Sequence, residues 1–200
     1  MRQTGCEETW KGDAMEVRRM KMKICLVGEA AVGKTSLIRR FVLDDFDDKY
    51  IQTLGTKVSK KELSMPGPNG GYDLKIDMTI WDIMGQKGFR ELLKEAYFYG
   101  AKGIIAVCDV TRKSTLDDLD DWIEGVYSVT GKVPIQFLAN KIDMKEKAEF
   151  AETEIQQATR AYDSPFSFTS AKTGENVESG FQSLAERVAK ERLVKTVPEE

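Results

Sequence analysis

Between an apolar run at residues 23–27 and an amphipathic stretch opening at Lys34, the chain reads Gly28-Glu29-Ala30-Ala31-Val32-Gly33-Lys34-Thr35, a complete G-x-x-x-x-G-K-[ST] pattern. In that setting the glycines mark a turn from strand into helix. Such a turn lets backbone N–H groups curl around phosphate oxygens, the lysine adds a positive charge, and the threonine hydroxyl is able to ligate a divalent cation. Gly28, Ala31, Val32, Gly33, Lys34, Thr35 and Ser36 are therefore the candidate phosphate contacts. The loop alone names neither the nucleotide nor the reaction.

The rest of the chain alternates strand-like and helical patterns. Short runs rich in Ile, Val, Leu and Phe recur at residues 23–27, 57–63, 73–81, 103–109, 134–139 and 166–168. Helical spacing of apolar residues appears at 34–43, 89–99, 115–129, 150–162 and 177–194. Only the second and third strands follow each other directly, through Met65-Pro66-Gly67-Pro68-Asn69-Gly70-Gly71, a composition suited to a hairpin turn. This order predicts an α/β fold: a three-layer α/β/α sandwich around a six-stranded, mostly parallel sheet with one antiparallel edge strand. Ligands are expected at the C-terminal ends of the strands. With 200 residues the chain suits one domain, expected at residues 22–195 between a flexible tail at 1–21 and a short tail at 196–200.

Composition removes several function classes. Histidine is absent, which excludes mechanisms that use it as base or metal ligand, so a metal would be held mainly by oxygen, favouring Mg²⁺. The net charge of −3 leaves no basic field for nucleic acid. Cys6, Cys25 and Cys108 are far apart, and the last two lie in apolar runs, as core thiols of a reducing compartment would. No apolar segment approaches the roughly 20 residues of a membrane span, and neither a signal-peptide core nor a lipidation motif is present. A monomeric cytoplasmic protein with no lipid anchor of its own is expected.

Four more motifs fall at predicted strand ends. Trp81-Asp82-Ile83-Met84-Gly85-Gln86 closes the third strand, Asn140-Lys141-Ile142-Asp143 follows the fifth, and Ser170-Ala171-Lys172 follows the sixth. Thr53 lies in Tyr50-Ile51-Gln52-Thr53-Leu54-Gly55, seven residues after Phe46. With the phosphate loop, these resemble the small GTPases of the Ras superfamily, most closely the Rab-like branch, over about residues 22–190.

That resemblance implies a P-loop NTPase small G domain and a molecular switch that hydrolyses GTP to GDP with Mg²⁺. Lys34 and Gln86 would be catalytic, Gln86 by orienting the attacking water. Thr35, Thr53 and Asp82 would hold Mg²⁺, Asp82 through water. Gly85 and Thr53 would offer backbone N–H groups to the γ-phosphate, which Tyr50 would cover. Phe46 would lie against the base, Ala171 would offer its N–H to guanine O6, and Lys141 and Lys172 would flank the ring. Asn140, Asp143 and Ser170 complete the base site. An ionised Asp143 is acceptor-only and suits the N1–H and 2-amino donors of guanine, whereas adenine presents an acceptor at N1. Effectors, exchange factors and GTPase-activating proteins would meet the two switch loops.

The chain also departs from that pattern. Ile83-Met84 stands where the family usually has Thr-Ala, Ala30 and Ala31 replace residues that are often glycine, and no arginine finger is apparent within the chain. A GTP-bound scaffold with negligible hydrolysis is thus an alternative, and an ATP-dependent phosphotransferase a second one that Asn140-Lys141-Ile142-Asp143 argues against. Trp81 reads either as part of an effector-facing aromatic patch or as ordinary core. Phe46 reads first as a base contact, with cover for the core as the alternative, and Glu29 as a solvated loop charge.

Overall fold

A computed structural model of the chain describes residues 16–47, 53, 55–68, 70–86 and 95–194. Its centre is a six-stranded sheet of order β2-β3-β1-β4-β5-β6. The strands are β1 (Glu16–Val27), β2 (Thr56–Pro66), β3 (Tyr72–Ile83), β4 (Gly103–Asp109), β5 (Ile135–Asn140) and β6 (Phe166–Thr169). All neighbouring pairs are parallel except β2 with β3. The predicted sandwich with one antiparallel edge strand is the observed fold.

Helices cover both faces: α1 (Lys34–Leu43), α2 (Ser114–Asp117), α3 (Leu119–Thr130), α4 (Glu152–Arg160) and α5 (Val177–Val194). Residues 115–129, expected as one helix, divide at Asp118. Of the helix expected at 89–99, only a turn at 95–98 lies within the described residues.

β4 and β5 are buried along their whole length, which is why they read as unbroken apolar runs. Alternate residues serve the two sides. Ile105, Val107 and Leu138 join α1 and α5 in one core, where Phe41 stacks on Phe181 with ring centroids 4.1 Å apart. Ile104, Ala106, Cys108, Phe137 and Ala139 join α2, α3 and α4 in the other. Burial pushes the Cys25 thiol up to about 12 and raises that of Cys108 too, so both are inert core groups.

One boundary differs from the expectation. β1 begins at Glu16, upstream of Met22, and pairs with β3 from Glu16 opposite Tyr72. Its first four residues are exposed, so no alternation of apolar residues marks them. Backbone pairing with a long β3 holds this stretch, aided by the Arg18 guanidinium 4.2 Å above the Tyr72 ring.

Candidate functional site

At the C-terminal edge of β1, Gly28 turns the chain with φ +133°, and a Cβ there would overlap the carbonyl oxygen of Val107 on β4. Gly33 has φ +101°, and a Cβ would run into Nδ2 of Asn140. The two glycines are thus required by close approach as well as by φ. Ala31, between them, also sits in the left-handed region at φ +62°, unfavourable for a residue with a Cβ.

The carbonyls of this loop are all taken. Lys34 Nζ donates to Gly28 O (2.6 Å) and Glu29 O (2.7 Å). Arg112 Nη2 donates to Ala30 O (3.0 Å), Lys141 Nζ to Ala31 O (2.8 Å) and Asn140 Nδ2 to Val32 O (2.9 Å). Since C=O and the next N–H point oppositely across a trans peptide, the N–H groups of Ala31, Val32 and Gly33 face away from the last three donors. α1 follows with no side-chain cap and no acidic residue in its first turn, leaving its N-terminal amides available to an anion.

Next to the loop, Asp82 at the end of β3 is buried, and its Oδ2 accepts from Thr35 Oγ1 at 2.5 Å. Thr35 Oγ1 is also 3.0 Å from Thr53 Oγ1. Asp82 Oδ1 is buried without a hydrogen-bond partner, and burial raises the carboxyl's pKa, with Thr35 and Lys34 opposing. An orphaned carboxylate oxygen beside two hydroxyls is the donor chemistry of a hard divalent cation. Among the described residues no group of three or more Cys, Asp or Glu is arranged as a metal cage, so such an ion would need further oxygens from a ligand. Lys34 is 6% exposed, and burial lowers its pKa to about 8 against the pull of Asp82 and Glu29.

The base-side motifs meet the same loop. Asn140 Oδ1 accepts from Thr169 Oγ1 (3.3 Å) and the Ala171 N–H (3.1 Å), so one side chain joins the phosphate loop, β6 and the 170–172 turn. The Ala171 N–H, expected at guanine O6, is directed to Asn140 here. Ser170 is fully buried and donates to Asp143 Oδ1 at 2.7 Å. Asp143 itself is exposed, because it opens a short 3₁₀ turn, Ile142–Lys147, that has no buried residue.

One cavity of about 670 Å³ is lined by Ala31, Gly33, Lys34, Thr35, Ser36, Phe46, Thr53, Asp82, Gly85, Gln86, Asn140, Lys141, Asp143, Ala171 and Lys172. That volume lies in the range of small-molecule sites, roughly 300–1,000 Å³. Of the predicted contacts, Gly28, Val32 and Ser170 stand behind the lining, and Tyr50 lies outside the described residues. Phe46 packs on the core and lines the cavity as well. Gln86 is exposed at the rim, whereas Ile83 and Met84 are buried. Trp81 packs on the second core with the Lys23 ammonium 3.8 Å above its ring, while Val58, opposite it on β2, is exposed.

A model of the Ras family matches residues 23–190. The chain belongs to the Ras family. It is 34% identical over 164 residues to Ras-related protein Rab-13 of Bos taurus, an alignment covering 82% of this chain and 77% of the relative. To Ras-related protein Rab-18 of Caenorhabditis elegans it is 35% identical over 169 residues, covering 84% and 79%. The family member described here is therefore Rab-like.

Several residues of this Ras-family site escaped the sequence. Arg40 on α1 donates to Ala171 O (3.0 Å) and Lys172 O (2.8 Å), tying the helix after the phosphate loop to the 170–172 turn. Arg39 and Lys57 add two cations to the cavity wall. Glu29 is a correction: its carboxylate accepts from the indole N–H of Trp122 at 3.3 Å and is no free loop charge. Arg112 and Asp109 were legible only as polar residues at the end of a buried strand, the position where ligand-side groups collect.

Proposed function

We propose that this protein is a Mg²⁺-dependent GTP-binding switch that hydrolyses GTP to GDP and phosphate. Ras-family membership supports a GTP-binding GTPase at the family level. The observation that carries the reading for this chain is that Lys34, Thr35 and Asp82 share one cavity wall with Asp143 and Lys172.

The geometry supports the following roles. Loop N–H groups and the uncapped start of α1 receive the phosphates, and Lys34 adds its charge. Thr35, Thr53 and Asp82 would hold Mg²⁺, which when bound neutralises charge on the phosphate oxygens. The Ser170 hydroxyl fixes Asp143 Oδ1, orienting an acceptor-only carboxylate toward the paired donors of guanine. Gln86, at the cavity rim, orients water toward the γ-phosphate. Catalysis of this kind is positional and electrostatic, with no covalent step by the protein. Among the described residues no helix is long and apolar enough to cross a membrane.

A second reading, a nucleotide-loaded scaffold with negligible hydrolysis, is favoured by the packing at the end of β3. Met84 is 5% exposed, its N–H bonds Gly55 O at 3.1 Å, and a Cβ on Gly85 would strike Glu29 and Ala30. The backbone just before the exposed Gln86 is thus set against the phosphate loop.

Identifying the co-purified nucleotide and then measuring single-turnover phosphate release, with and without Gln86→Leu, separates the readings. GTP or GDP with release slowed at least about tenfold in the variant supports the enzyme. Equal inertness of the two proteins supports the scaffold, and effective competition by ATP removes the guanine assignment.

A further inference from the structure

We propose that Arg112 is a positioning residue of the phosphate loop, holding Ala30-Ala31 in the conformation that presents its N–H groups to phosphate; the inference rests on the nucleotide reading of that loop.

The strain is local and visible. Ala31 adopts a left-handed backbone at φ +62° that glycine tolerates and alanine resists. Something outside the loop must hold it. The two peptide planes meeting at Ala31 carry the carbonyls of Ala30 and Ala31, and each is gripped by a cation, Arg112 at 3.0 Å and Lys141 at 2.8 Å.

Both cations converge on one anion. Asp109 Oδ2 accepts from Lys141 Nζ at 2.7 Å and from Arg112 Nε at 3.2 Å, and Oδ1 accepts the N–H and hydroxyl of Thr111 at 3.0 and 2.8 Å. The Asp109 side chain is 1% exposed. It is held ionised: burial raises its pKa, but hydrogen bonds from Lys141 and Thr111 outweigh that and leave it below the usual range. The turn that carries Arg112 is itself fixed, by Arg112 N–H to Asp109 O at 2.9 Å and by the Thr115 hydroxyl to Arg112 O at 2.7 Å.

Arg112 thus reaches the loop from a rigid base. Its planar fork serves two acceptors from fixed directions, the Ala30 carbonyl from Nη2 and Asp109 from Nε. Lys141 belongs to the base-side motif and Arg112 to no motif, yet they brace adjacent peptides. The loop of this chain, with alanine at the strained position, depends on both.

Release of fluorescent GDP from the full chain, with amide exchange over residues 28–35, tests this. Loss of a charge-assisted bond in Arg112→Ala is expected to speed release roughly tenfold, and Arg112→Lys to recover part of the loss. In an Ala31→Gly background the strain is gone, so Arg112→Ala should change release by no more than about twofold. Unchanged release in Arg112→Ala overturns the proposal, as does an equal effect in the Ala31→Gly background. If the wild type retains no GDP, the nucleotide reading fails by itself. Amide exchange then decides on Arg112: faster exchange of the loop in Arg112→Ala supports the brace, and unchanged exchange refutes it.

Discussion

The phosphate loop and the segment that follows β3 lie against each other, yet they are held in opposite ways. From Gly28 to Val32 every carbonyl has a side-chain donor, drawn from α1, the β4–α2 turn and the end of β5. Past Ile83, the backbone bond among the described residues is Met84 N–H to Gly55 O, and the chain reaches an exposed Gln86 two residues later. The first region is pre-organised for a ligand, and its cost was met during folding. The second, among the described residues, is held mainly by apolar packing of Ile83 and Met84. In the proposed switch, the grip on phosphate and the response to it fall to different segments.

The sharpest break in this contrast is Gly28→Ala. The new methyl meets the Val107 carbonyl, part of the sheet itself, at a φ alanine does not adopt. A loss of about 3 kcal/mol or more is expected, lowering the melting midpoint by roughly 6–12 °C and abolishing nucleotide retention. Calorimetry with and without GDP checks both.

Asn140→Ala comes next, because it strands the Val32 carbonyl and the Ala171 N–H together. About 2–4 kcal/mol of nucleotide affinity should go, roughly a hundredfold, by titration with labelled GDP.

Lys34 gives a pH signature. Its pKa in the free protein is lowered to about 8, below the unfolded value of 10.5, and phosphate binding favours the charged form. Affinity should hold steady below that pKa and fall toward tenfold per pH unit above it, with proton uptake on binding in the same window. For the free fold the sign is reversed: the burial cost is full below about 8 and is relieved as pH rises toward 10.5. Calorimetric titration in buffers of different ionisation enthalpy measures the uptake.

Gly85→Ala should be mildest for stability. The clash is with the backbone of Glu29 and Ala30, and a shift of the segment carrying Gly85 is expected to relieve it. About 1 kcal/mol or less is expected in urea unfolding, with phosphate release affected more than GDP affinity. A loss as large as that of Gly28→Ala would show that both regions are rigid.

Much of this fold was legible along the chain. β4 and β5 declared themselves as apolar runs because both faces are buried, and the hairpin composition marked the antiparallel edge. The early part of β1 was not, since an exposed strand held by ladder bonds has no apolar alternation to read. At the proposed site, the motif residues could be named from the chain while the side chains that support them could not. Nothing in Val110-Thr111-Arg112 says that its guanidinium reaches Ala30, and nothing in Glu29 says that Trp122 donates to it. Asp143, read as the base contact, is exposed in a turn that has no buried residue.

What the sequence determined by itself was the class of ligand and the layer order. Both rest on local rules: which residues tolerate positive φ, which carry charge, and how apolar residues repeat over one strand or helix. Only the tertiary structure decided how the loop is held, for its braces come from 82, 108 and 110 residues away in the chain. Such pairings are set by strand order and packing, and no short window of sequence contains both partners.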